Sequence, residues 1–141
     1  RIESRGLGDV YKRQIKDIEK MYLLKTGALF SLCFNLLSNV KTLNSKKKEE
    51  LKKISETIGK IFQITDDMLD RWGDEKKVGK KINKDSKKAN IAYKLKYEDC
   101  MRHLHQIQNK NYMALQRLFY NNNEGLVYLS SLVDFIVRRV K

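Results

Sequence analysis

The sequence predicts an all-α domain, and three observations carry that prediction. None of the 141 residues is Pro, where average usage would place about seven, so nothing interrupts a long helix. Apolar residues recur at steps of three and four along most of the chain. No segment alternates apolar and polar residues in the manner of a half-buried strand. A chain of this length, 41% apolar, supports one modest domain.

Arg1 to Gln14 stands apart, holding three of the eight Arg and two of the seven Gly and beginning without Met. Its end, DVYKRQ, is similar to the translated end of a sequencing transposon, so residues 1–14 are expected to be a technical scar and are left out of fold reasoning. From Ile15 to about Leu43, apolar residues at Ile15, Ile18, Met21, Tyr22, Leu29, Leu32, Leu36 and Val40 predict a helix broad enough in its apolar surface for a central place in a bundle. Ser45 is the expected cap of a second helix, because its hydroxyl can accept from a free first-turn amide. That helix is predicted over Lys48 to about Trp72, with Leu51, Ile54, Ile58, Ile61, Phe62, Met68 and Leu69 inward. A polar loop follows from Gly73 to about Asp85. A weaker amphipathic helix is expected from Ser86 to about Gln108 and another around Tyr112 to Tyr120. Asn121-Asn122-Asn123-Glu124-Gly125 reads as a turn, and a last helix runs to the C-terminus.

The net charge of +13 raises the question of nucleic acid, since a basic face that neutralises phosphates is the footprint of such binding. Composition argues for solvated faces instead: 22 of the 30 basic residues are Lys, Asn numbers ten, and no interleaved aromatics or Arg accompany the run Lys46 to Lys53. Cys33 and Cys100 lie far apart without C-x-x-C spacing, which excludes a disulfide scaffold and a zinc finger and leaves them as reduced packing residues. The longest nearly apolar stretch, Leu23 to Leu37, is interrupted by Lys25, Thr26, Ser31 and Asn35, too polar and too short to span a bilayer. Nothing reads as a signal peptide.

Chemistry concentrates in Phe62-Gln63-Ile64-Thr65-Asp66-Asp67-Met68-Leu69-Asp70. On a helix Asp66 and Asp70 lie one turn apart on the same side, with Asp67 about 100° around, so the carboxylates converge on one patch. Like charges at that spacing repel by about 0.2–0.5 kcal/mol per pair, which calls for a cation. Hard oxygen ligands that leave positions for water and phosphate suit Mg²⁺. The alternative is an exposed acidic face near a helix end. Upstream, Lys25-Thr26-Gly27 places an ammonium and a hydroxyl inside a mostly apolar helix, where an anionic ligand would offset the cost of the charge. A snorkelling Lys25 with its head in solvent is the other reading. Downstream, Gly73-Asp74 and Gly79-Lys80-Lys81 supply a polar loop with further ammonium groups. Carboxylates for a metal and lysines for phosphates together describe a diphosphate site.

These residues resemble the trans-type isoprenyl diphosphate synthases, the farnesyl and geranylgeranyl diphosphate synthases of the polyprenyl synthetase family. The resemblance runs through Lys25-Thr26-Gly27-Ala28-Leu29-Phe30, Ile58-Gly59-Lys60-Ile61-Phe62-Gln63-Ile64-Thr65-Asp66-Asp67-Met68-Leu69-Asp70, Gly73-Asp74, Gly79-Lys80 and Asp85, and the closing Phe135 to Lys141 is similar to the basic end of bacterial members. It covers residues 15–141, which it implies are the C-terminal part of one synthase domain and the C-terminal helices of the isoprenoid synthase bundle. It further implies two Asp-rich motifs that hold an allylic diphosphate through Mg²⁺, with Asp66, Asp67 and Asp70 matching the second. By the same matching Lys25 and Lys80 contact that diphosphate, and Thr26 and Gln63 line the place where a carbocation forms. The implied reaction joins the allylic diphosphate to isopentenyl diphosphate, in a cytoplasmic protein that is a homodimer at full length, without nucleic acid or membrane insertion.

Two departures limit the match. The first Asp-rich motif and the isopentenyl diphosphate residues are absent, so this chain alone is expected to be inactive, and chain-length specificity is not legible. After Asp85 the spacer is shorter than usual and lacks Pro, so either Lys87 or Lys88 takes the remaining diphosphate contact, Lys88 being the expected one. A noncatalytic subunit of a heteromeric synthase would be expected to have eroded acids, whereas Asp66, Asp67 and Asp70 are intact; a basic nucleic-acid-binding module is the remaining alternative. His103 and His105, two apart, fall on different sides of a helix and are expected to be surface or partly buried. Tyr93, Tyr97, Tyr112, Phe119 and Tyr120 read as packing. Trp72 is expected to close its helix end against the core, with shielding of the acids as the alternative.

Overall fold

The structure, a computed structural model, describes residues 14–40, 43–73 and 90–140, with 36–40 as backbone only. The expected scar, apart from Gln14, and the loop carrying Gly79, Lys80, Asp85, Lys87 and Lys88 lie outside the described residues. Helix α1 (14–22) continues through a π-helical turn, Leu23–Gly27, into α2 (Ala28–Val40), so one unbroken helix occupies most of the first predicted segment. Then come α3 (Ser45–Trp72), a 3₁₀ turn (Ile91–Tyr93), α4 (Tyr97–Leu118) and α5 (Asn123–Arg138), and no strand occurs among the described residues. The all-α expectation holds.

Helix α3, rather than the first helix, occupies the centre. Ile54, Ile58, Ile61, Ile64 and Met68 follow each other at steps of three and four and are at most 2% exposed. Ile18 and Tyr22 from α1, Cys100, Leu104 and Leu115 from α4, and Val133, Ile136 and Val137 from α5 complete the same core. Lysines of the run after residue 45 face outward, where Lys53 pairs with Glu49 at 3.3 Å across one exposed turn. By contrast Leu24, Leu29 and Leu32 are 74%, 60% and 55% exposed, so the outer face of α1–α2 has no cover among the described residues.

Several boundaries differ from the sequence expectation, each for a local reason. Asn44, not Ser45, caps α3: its side-chain oxygen accepts from the Lys47 amide at 2.9 Å. The two helices expected on either side of Asn109-Lys110-Asn111 are one, because Asn111 is buried and its amide donates to the Ile54 carbonyl at 3.3 Å across the α3–α4 contact. Asn122 caps α5 by accepting from the Gly125 amide at 3.0 Å, so Asn123 to Gly125 form its first turn. Cys33 is exposed and only Cys100 packs inside, both being free thiols. Tyr112 and Tyr120 are exposed, not packing residues. Trp72 does close its helix end, edge-on to Tyr97 at 5.4 Å, with the Arg71 guanidinium 4.7 Å from its ring centre.

Candidate functional site

The segment Lys25-Thr26-Gly27 lies within the π-helical turn, where the Ala28 amide reaches back to the Leu23 carbonyl. Such turns widen a helix locally and are frequent at functional sites. Here the turn crosses α3 at Gly59. A Cβ built on Gly59 would lie 2.8 Å from the Gly27 Cα and 3.1 Å from its amide nitrogen, so the two backbones touch and only Gly fits. That contact brings Thr26 within 2.9 Å of Gln63, one turn further along α3.

From Thr26 a hydrogen-bonded chain runs through the core, and its polarity is fixed by a donor-only amide at one end and an accepting carboxylate in the middle. The Ile91 amide can only donate, and it donates to the Tyr22 hydroxyl at 3.1 Å. That hydroxyl therefore spends its proton on Asp67 Oδ2. Asp67 Oδ1 accepts from Gln63 Nε2 at 3.1 Å, which turns the Gln63 carbonyl toward Thr26 and makes the Thr26 hydroxyl the donor. Thr26 thus keeps its oxygen lone pairs for whatever lies beyond it. Burial, followed by the Asp67 charge, keeps Tyr22 protonated far above the usual tyrosine range. Burial likewise raises the Asp67 carboxyl, against the donors Tyr22, Gln63 and the Ile91 amide, which hold it down.

The three acids of the cluster do not share one environment. Asp67 is 6% exposed and turned to Tyr22 and Gln63, Asp70 is 5% exposed, and Asp66 is half-buried. Among the described residues no three acid, His or Cys side chains form one metal-holding group. Asp66 and Asp70 lie one turn apart on α3, and Asp67, the third acid expected to bind the metal, is hydrogen-bonded to Tyr22 and Gln63. Hard carboxylate oxygens of this kind are the donors Mg²⁺ takes, and it needs few protein ligands in nucleotide and diphosphate sites. Lys25 is exposed at the π turn. Lys80 and Lys88 lie outside the described residues.

Three features had escaped the sequence reading. Tyr22 reads as one more apolar-face residue, and nothing local distinguishes its hydroxyl. Glu19, also on α1, accepts from His103 at 2.7 Å and from Lys60 at 3.4 Å, tying α1 to α4 and α3. Burial pushes its carboxyl up, but His103 and Lys60 together outweigh that and hold it below its usual value. Arg71 donates to the Ala92 and Leu95 carbonyls and fixes the turn that presents the Ile91 amide. His105 contacts Gln108 rather than joining His103. A cavity of about 760 Å³ lined by Phe34, Leu51, Leu118, Phe119 and Leu129, with Lys47 and Arg117, lies at the other end of α3 from the acids.

Comparison with known proteins identifies a family. The sequence family named Polyprenyl synthetase matches residues 5–118. The farnesyl diphosphate synthase of Micrococcus luteus is 28% identical over 129 residues, 90% of this chain and 43% of that protein. The geranylgeranyl diphosphate synthase of Cyanophora paradoxa is 29% identical over 142 residues, 98% of this chain and 44% of that protein. A short chain isoprenyl diphosphate synthase of Methanocaldococcus jannaschii is 36% identical over 75 residues, 53% of this chain and 23% of that protein. The chain spans less than half the length of these curated relatives. No solved structure matches it. No helix among the described residues is long and apolar enough to cross a membrane. With a matching family over most of its length and an all-α architecture, the chain belongs to the polyprenyl synthetase family.

Proposed function

We propose that this chain supplies the second acidic motif and the Lys-Thr-Gly turn of a Mg²⁺-dependent prenyltransferase, which condenses an allylic diphosphate with isopentenyl diphosphate. The observation that carries the reading is the hydrogen-bonded link from Thr26 through Gln63 to Asp67, which ties the Lys-Thr-Gly turn to the acidic helix across the Gly27–Gly59 contact.

Asp66 and Asp70 would hold Mg²⁺, which supplies charge stabilisation for a departing diphosphate. Lys25, with Lys80 and Lys88 from the following loop, neutralises the same diphosphate. As the allylic C–O bond breaks, the electron pair leaves with the diphosphate. The alkene of isopentenyl diphosphate then bonds to the allylic carbon, and a proton is lost. Thr26 faces this centre with lone pairs, because its proton is committed to Gln63, and an electron-rich oxygen favours a developing cation. The other half of a synthase, packed on the exposed leucines of α1–α2, would exclude water that would quench it. Asp67 orients Gln63 from inside.

Only one acidic motif is present, so the chain by itself is inactive, and the exposed face of Leu24, Leu29 and Leu32 is where the other half of a synthase packs. The test joins residues 15–141 to the N-terminal half of a relative and assays condensation with Mg²⁺. Product from the joined protein and none from this chain supports the reading; product from this chain alone contradicts it.

A further inference from the structure

We infer that Tyr22 is a positioning residue for the prenyl-transfer site, acting through Asp67 and Gln63 on the hydroxyl of Thr26. The inference rests on the proposed prenyltransferase reading and extends it to a residue outside both sequence motifs.

Tyr22 is 1% exposed and lies one turn before Thr26, yet its hydroxyl is the junction of three segments. It accepts from the Ile91 amide at 3.1 Å and donates to Asp67 Oδ2. A backbone N–H can only donate, so this amide, which also reaches the Asp67 carboxyl, decides which way the Tyr22 proton points. An engaged Oδ2 leaves Asp67 Oδ1 for Gln63 Nε2, and a Gln63 held at that end presents its carbonyl, not its amide, to Thr26. Four side chains therefore have one consistent arrangement, set at the Tyr22 end by the Ile91 amide and at the Gln63–Thr26 end by the accepting Asp67 carboxylate, which Tyr22 holds in place. If the Tyr22 hydroxyl is removed, Asp67 keeps the Ile91 amide but loses its Tyr22 donor, and a rotation of the carboxyl then frees Gln63 to turn its amide over. Thr26 then aims its proton, not its lone pairs, at the reacting centre for part of the time. The ring of Tyr22 fills the same core space in Phe, so the hydroxyl can be tested apart from packing.

The kinetic test is a double-mutant cycle in the joined protein. Tyr22→Phe is expected to lower kcat about tenfold, the scale of one buried hydrogen bond, with the allylic KM changed less than about twofold. In a Thr26→Val background, which has no hydroxyl to orient, Tyr22→Phe is expected to change kcat less than about twofold. Equal effects of Tyr22→Phe in both backgrounds, or none in either, overturn the inference. Independently, in this 141-residue chain at low micromolar concentration, Tyr22→Phe is expected to speed hydrogen exchange of the Ile91 amide about tenfold or more, leaving Leu104 unchanged. Unchanged exchange at Ile91 also overturns it. A joined parent that makes no product contradicts the prenyltransferase reading instead, and the exchange at Ile91 then decides alone whether Tyr22 holds this arrangement.

Discussion

Gly27 and Gly59 meet backbone to backbone, at a separation that leaves no room for a Cβ on the α3 side. The contact sets how closely the π turn approaches α3, and hence whether Thr26 reaches Gln63. Gly59→Ala is expected to cost about 1–3 kcal/mol of stability through overpacking and to lower kcat more than that loss explains. Thermal unfolding and turnover of the joined protein check both; wild-type values for each would mean the crossing is looser than described.

Lys25 carries a separable prediction. If its ammonium meets the allylic diphosphate, Lys25→Ala removes a charge-assisted contact and raises the allylic KM about tenfold, with little change in unfolding temperature because the side chain is exposed. An unchanged KM and kcat would assign the side chain to solvent.

Asp67 pits stability against function. Its carboxyl titrates above its ordinary value of 3.8, chiefly because of burial. A raised acid costs the folded state stability once pH climbs past the unfolded pKa, so the penalty is present at neutral pH and relieved in acid. Asp67→Asn is expected to unfold at a higher temperature than the parent at neutral pH, with the difference shrinking toward pH 3.8. Its added N–H faces Gln63 and reverses the chain to Thr26, so turnover of the joined protein should fall. A destabilised Asn variant would contradict this account of the burial.

Glu19 has the opposite sign. His103 and Lys60 hold its carboxyl below the ordinary 4.5 despite burial, so its contribution is present above that pH and is lost as pH falls through the folded value. Glu19→Gln is expected to lower the unfolding temperature at neutral pH and to match the parent in acid. A pH-independent difference would show that shape, not charge, links α1 to α4.

The sequence was most informative where one helix decides its own pattern. The inward face of α3 is legible because Leu51, Ile54, Ile58, Ile61 and Met68 keep the helical period without interruption. The continuity of α4 was not legible, because Asn111 looks like a break until the Ile54 carbonyl that receives it is known. The cap of α3 was misplaced by one residue, since Asn44 and Ser45 are both good caps and only backbone geometry separates them. The acidic motif and the Lys-Thr-Gly turn stood out by composition. What joins them did not, because Tyr22, Gly59 and the Ile91 amide act through contacts between residues 30–70 positions apart, which no local pattern records.

The most direct measurement of the central claim compares condensation by the joined protein with that of its Asp66→Ala variant, assayed with allylic and isopentenyl diphosphates over a range of Mg²⁺ concentrations. The account predicts Mg²⁺-dependent product from the parent and a loss of about 100-fold or more in kcat for the variant, with unfolding temperatures within a few degrees. Near-normal turnover by Asp66→Ala, with the same Mg²⁺ dependence, would contradict the assignment of the acidic helix as the metal–diphosphate site.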